Sequence, residues 1–140
     1  MDLEMRNKIL RLQATIEAQP ESERVNPPVT HIFEDGMYAR AILIPAGVTL
    51  VGKIHKHAHH NHIHFGDIVV ASESGLFRYI GENDFVSAPG TKRVVHALED
   101  TLWITYHENP TGTHDLAQLE AEIIAPSYTA LENHMKEALA

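Results

Sequence analysis

Between about residue 29 and residue 108 the chain is cut into some eight short runs rich in Val, Ile, Thr and aromatics, each bounded by turn chemistry. Tyr38 to Ile44 ends in Pro45-Ala46-Gly47, and Val48 to His57 follows. Asn61 to Phe65 meets Gly66-Asp67, and Ile68 to Ala71 leads through Glu73-Ser74-Gly75 into Leu76 to Ile80. After Gly81-Glu82-Asn83-Asp84 come Phe85 to Ala88, the pair Pro89-Gly90, then Arg93 to Leu98 and Thr101 to His107. Branched and aromatic side chains suit a pleated, half-buried surface, while Gly, Pro, Asn and Asp supply the turns. Short strands at such regular spacing predict a sandwich or barrel.

The flanks read differently. Over residues 2–18, Met5, Ile9, Leu12 and Ile16 form one apolar stripe at helical spacing. Gln19-Pro20 ends the pattern, and Pro27-Pro28 closes a polar linker. Such a helix either packs on the main domain or makes a dimer contact. From residue 111 the pattern turns helical again: Leu116, Leu119 and Ile123 form a stripe, with Thr113 or Asp115 as N-cap. Pro126 interrupts, and Leu131, Met135 and Leu139 mark a second short helix. The expected organisation is a helix and linker over 1–28, a β-barrel over 29–110 and a helical segment over 111–140, within one structural domain.

Six histidines fall inside ten residues: His55, His57, His59, His60, His62 and His64. Imidazole is a common ligand for zinc, nickel, copper and iron, so metal binding is the first functional expectation. On a continuous strand, alternate residues share a face about 6.6 Å apart. That places His55, His57 and His59 on one face with Asn61 and Ile63, and His60, His62 and His64 on the other. The outer members of a three-histidine run lie roughly 13 Å apart, too far to share an ion unless the strand bends near Ala58. His96, His107, Tyr106, Glu99 and Asp100 are candidates for further ligands. The even-numbered set is expected to face solvent, a second layer or another subunit.

Composition narrows the function. The chain has 140 residues, 44% of them hydrophobic, enough for a real core. A formal net charge of −8 argues against nucleic acid and anionic lipid as partners, and Lys92-Arg93 alone is no basic patch. The absence of cysteine excludes disulfides, thiolate catalysis and cysteine-ligated zinc. No apolar run is long enough to span a bilayer, and the charged start is unlike a signal peptide. The default expectation is the cytoplasm.

The order Pro45-Ala46-Gly47, His55-x-His57, Gly66, Pro89-Gly90 and a downstream histidine resembles the two-motif signature of the cupin superfamily, over roughly residues 37–107. More narrowly, G-K-I-H-K-H-A-H-H-N, P-G-T-K-R-V-V-H-A-L-E-D-T-L-W and L-E-A-E-I-I-A-P-S-Y resemble small phage- and prophage-encoded cupins of unassigned function, nearly through both termini. The resemblance implies a mainly β fold, a cupin-type jelly-roll β-barrel flanked by an N-terminal helix and C-terminal helices. It also implies a homodimer, and the host cytoplasm if phage-encoded. Cupins usually hold one metal with two histidines and a glutamate from the first motif and a histidine from the second. No glutamate lies between Gly52 and Gly66, and spacing to Gly66 puts His59 in its place. Alignment on Ala97-Leu98-Glu99-Asp100 puts Arg93 where the second-motif histidine usually stands, with His96 three residues on.

The resulting expectation is one divalent transition metal (Fe, Mn, Ni or Zn) on His55, His57, His59 and His96, with His107 or the Arg93 position as alternatives for the fourth ligand. His59, His96 and Arg93 are the catalytic candidates. An inward Arg93 would suit a substrate carboxylate or phosphate, and Trp103 reads as a core or interface anchor. The expected function is a metal-dependent enzyme on a small polar molecule, of isomerase, lyase or dioxygenase type. The alternative is a non-catalytic phage-type cupin serving as a small-molecule-binding or structural assembly module.

Overall fold

The structure, a computed structural model, describes residues 3–19 and 26–139. The linker expected around Pro20 lies mostly outside the described residues. Helix α1 spans Leu3–Glu17; strands β1 to β8 span Val29–Glu34, Met37–Ile44, Thr49–Val51, Ile54–His55, His59–Ser72, Gly75–Ile80, Asn83–Ser87 and Val94–Glu108. Helix α2 (Leu116–Ile123), strand β9 (Ile124–Ala125) and helix α3 (Tyr128–Leu139) follow. Among the described residues no helix is long and apolar enough to cross a membrane.

Two long antiparallel strands organise the sheet. β5 and β8 pair from His60↔Tyr106 at one end to Ala71↔Val94 at the other. Each changes its outer neighbour along its length. The first half of β5 pairs with β7, its second half with β6. The first end of β8 pairs with β3, its second half with β2, and β2 with β1. One pair of strands thereby feeds two layers. The layers face each other: Ile44, Ile63, Ile68, Val70, Ala97 and Trp103 form one buried cluster. Phe85 of β7 stacks on Tyr79 of β6 at 4.7 Å and meets Trp103 edge-on at 5.5 Å, a favoured aromatic geometry.

The corner between the layers falls where the β5–β8 register shifts, between Ile63 and Ile68. Gly66 and Asp67, and likewise Glu99 and Asp100, were expected to bound separate strands. Instead both pairs lie inside continuous strands, because the ladder resumes on each side of a bulge. Gly66 has φ +135°, and a Cβ there would stand 2.2 Å from Thr101 Oγ1 and 2.7 Å from Thr101 Cα. Only glycine lets the two backbones approach this closely.

The helices cover what the strands leave open. Asp115 caps α2, its carboxylate accepting from the backbone N–H of Ala117 (3.0 Å) and Gln118 (3.4 Å). Leu119 and Ile123 of α2 are buried against Tyr38, with Phe33 and Ile124 alongside. Leu131 of α3 packs with Ile54 and Ala125. β9 pairs with β4, Ile54↔Ala125 and His55↔Ile124. In α1 only Ile9 of the expected stripe is buried. Arg6 donates to Glu73 at 2.8 Å and lies 3.7 Å over the Tyr128 ring, while Tyr128 donates to the same carboxylate at 3.1 Å. This contact ties α1, the β5–β6 turn and α3 together.

Gly66→Ala should lower stability by about 2–4 kcal/mol, the sum of a glycine-only backbone and an overpacked contact that Thr101 cannot vacate. Urea unfolding of the two proteins measures it; equal midpoints would refute the corner constraint.

Candidate metal centre and buried arginine

Three imidazoles meet in the barrel lumen. His55 comes from β4, His59 from the start of β5 and His107 from near the end of β8. Their ring centres lie 4.1 Å (His55–His59), 5.2 Å (His59–His107) and 5.6 Å (His55–His107) apart. His59 and His107 are only 4% and 9% exposed. The chain does bend near Ala58: β4 stops at His55, and Lys56 to Ala58 are not in strand. The bend carries His57 outward, where it is exposed and meets His134 of α3 edge-on at 5.6 Å. His55 and His59 therefore share the lumen without the residue between them.

His96 is also kept away from the trio. Its neighbours Val95 and Ala97 face the core, so strand alternation turns His96 to the other side. There its Nδ1 pairs with Thr49 Oγ1 at 2.7 Å. His107, one of the alternatives, takes its place because its partner across β2 is Tyr38, an inward position. His60, His62 and His64 lie on the outer face of β5, as alternation from His59, Asn61 and Ile63 requires.

Burial sets the protonation of the trio. Desolvation, reinforced by His59, Arg93 and His107, pushes His55 down to about 2. Desolvation and Arg93 bring His59 to about 4; desolvation, followed by His59 and Arg40, brings His107 to about 4. All three are neutral near pH 7, the form that ligates a metal. Among the described residues His55 Nδ1 is buried without a well-formed hydrogen bond, a cost that a ligated ion would remove. Imidazoles sharing one ion place their ring centres roughly 4.5–5.2 Å apart, from a metal–nitrogen bond near 2.1 Å. The observed spacings bracket that range, so the trio fits a metal by position. The rings lie face to face rather than aimed at one point. Among the described residues, the group whose ligand atoms already lie within 4.8 Å of one another is His62, His64 and Glu82, on the outer surface. Closure of the lumen trio on an ion therefore requires rotation of at least one ring.

Arg93 reaches in beside the trio. Its Nη2 stands 3.4 Å from His59 Nε2 and donates to Asn61 Oδ1 at 3.4 Å, while Nη1 donates to Ser87 Oγ. The guanidinium sits 5.0 Å from the Trp103 ring centre, a cation–π contact. Asn61, fully buried, accepts from Trp103 Nε1 at 3.0 Å and donates to Ser87 Oγ at 2.9 Å. Burial lowers Arg93 to about 10, still charged at neutral pH. Among the described residues no carboxylate pairs with it. The Asn61–Ser87–Trp103 hydrogen bonds close without it, so the network does not need the cation. Arg93 and Ser87 also line a cavity of about 510 Å³, with Tyr79, Phe85, Lys92 and Met135. Sequence reasoning did not single out Asn61 as polar machinery or Ser87 at all; Asn61 shares strand parity with His59, and Ser87 is the cross-strand partner of His59.

The metal-free protein should lose stability as pH falls from about 6.5 toward 4. The unfolded chain takes up protons on these histidines near 6.5, the folded chain only near 4 or below, so unfolding is favoured in that window and unaffected above it. Urea midpoints between pH 8 and 4 read this; a midpoint that is flat, or that rises on acidification, would contradict the burial of neutral imidazoles.

No protein-family model matches this chain, and no curated protein matches it in sequence. Solved structures do match in fold. Salicylate 1,2-dioxygenase from Pseudoaminobacter salicylatoxidans, solved as adducts with gentisate, superposes with a TM-score of 0.57 at 11% identity, over 91% of this chain and 37% of that one. Ectoine synthase from P. lautus gives 0.50 at 12% identity, over 56% of this chain and 60% of that one. A protein from Neisseria meningitidis gives 0.51 at 10% identity, over 70% and 95%. This chain thus spans well under half of the dioxygenase and less than two thirds of the ectoine synthase. Both enzymes are cupin-fold proteins, and at these identities the likeness is one of fold: the chain is mainly β, a cupin-type barrel with flanking helices.

Proposed function

We propose that this chain is a metal-binding cupin barrel in which His55, His59 and His107 hold one divalent transition metal ion, and Arg93 receives the anionic end of a small polar molecule. The observation that carries the reading is a charged, half-buried Arg93 against His59, with no carboxylate partner among the described residues. Partial removal of an arginine from water without an anion is unfavourable, and the hydrogen bonds among Asn61, Ser87 and Trp103 are complete without that charge. Three neutral imidazoles, one with a buried nitrogen that makes no well-formed hydrogen bond among the described residues, supply a donor set suited to Fe, Mn, Ni or Zn. Such an ion, when bound, supplies a Lewis acid with positions left open by a three-histidine set. The chain's own residues do the rest. Arg93 orients a carboxylate by its paired N–H groups. Ser87 and Asn61 fix the guanidinium, and Trp103 and Phe85 exclude water around it. Isomerase, lyase and dioxygenase chemistry all remain open to such a site.

Elemental analysis of untagged protein, loaded separately with each metal and dialysed, should give one ion per chain fewer in the His55→Ala/His59→Ala variant than in the wild type. Equal metal content would sink the lumen assignment. Arg93→Met should keep the metal, leave urea stability equal or higher, and weaken binding of oxalate and benzoate by tenfold or more, the worth of a charged hydrogen bond. Calorimetry reads the affinities; unchanged binding in Arg93→Met would remove Arg93 from the ligand site.

A further inference from the structure

The outer face of β5 carries three histidines that the lumen does not use. Register explains what they meet. β5 and β7 pair His62↔Asp84 and Ile63↔Asn83, so the next step sets His64 opposite Glu82 at the end of the β6–β7 turn. Alternation puts His62, His64, Glu82 and Asp84 on the same outer surface. One ligand atom each from His62, His64 and Glu82 lies within 4.8 Å of the others. Asp84 Oδ1 stands 2.9 Å from both His62 Nδ1 and His60 Nε2. With the carboxylate accepting from His62 Nδ1, the lone pair of that ring is fixed on Nε2, the arrangement that carboxylates impose on metal-bound histidines.

We infer that His62, His64 and Glu82 form a second transition-metal site on the outside of the barrel, with Asp84 positioning His62. Two imidazoles and one carboxylate select a Zn²⁺-like borderline cation over Ca²⁺ or Mg²⁺, which take oxygen ligands. His64 and Glu82 are exposed, so the remaining coordination positions open to solvent. The bound ion would clip the β6–β7 turn to β5 across the ladder. The inference stands apart from the lumen reading, since it shares no ligand with it.

The test is Zn²⁺ titration of the untagged protein by calorimetry, with Co²⁺ absorption as a second readout. The His55→Ala/His59→Ala variant isolates the outer site and should still bind one Zn²⁺ per chain. Adding Glu82→Gln with His64→Ala to that variant should abolish this ion. Adding Asp84→Asn alone should weaken it by 10- to 100-fold while leaving one ion per chain, as expected of a positioning carboxylate. His64, Glu82 and Asp84 lie on the surface, and the Co²⁺ d–d bands report the coordination independently of any fold change. Retention of the ion in the Glu82→Gln/His64→Ala background, or its absence in the isolating variant, would overturn the outer site whether or not the lumen holds a metal.

Discussion

The molecule depends on the pairing of β5 with β8. Both strands run through two layers, and every other strand of the main sheet is attached to one of them, directly or through β2. The pair can pass from one layer to the other only because Gly66 admits Thr101 at contact distance. The same pairing delivers His59 and His107 to one end of the lumen. A shift of one residue in its register would exchange the inner and outer faces of β5. Asn61 and Ile63 would then be exposed, and His60 and His62 would enter the lumen.

Charge is handled in two opposite ways. Asp67 is paired to Arg78 by two hydrogen bonds of 2.9 and 2.7 Å, which hold its carboxyl below the usual range. Arg78 is exposed in that pair, which is ordinary protein chemistry. Arg93 is half-buried among His59, Asn61, Ser87, Phe85 and Trp103, and no carboxylate among the described residues pairs with it. Burial first, and Arg93 second, keep His59 neutral, which spares the lumen further positive charge. A preorganised cation beside neutral donors favours an anion more than any other occupant.

Much of this was legible in the sequence. The β-rich centre, the flanking helices and the Asp115 cap follow from periodicity and turn chemistry, and the cupin-type barrel from the order of motifs. The strand ends were less so. Gly66-Asp67 and Glu99-Asp100 carry turn chemistry, but a bulge uses the same residues, and only the partner strand distinguishes the two. The split of the histidine run was half readable. Alternation separates His60, His62 and His64 from His59 correctly. The bend at Lys56 to Ala58 then displaces His57, because β4 is pinned by β9 while β5 is pinned by β7. The placement of His107 needs the β2–β8 register, and the enclosure of Arg93 needs the fold of the whole lumen; neither is a local property.

The strand that supplies His55 is only two residues long, and its partner lies roughly seventy positions further on, at Ile124 and Ala125. Lys56 N–H donates to Ile123 and Gly90 N–H to His55 at 2.8 Å each, so His55 is framed by segments remote from it in sequence. None of these contacts is needed to join β1–β2–β8–β5–β6. The ladders of the main sheet and the frame of His55 are thus separate sets of contacts, the first made without the C-terminal segment and the second by it. Whatever moves the C-terminal segment therefore reaches His55 without passing through a ladder of the main sheet.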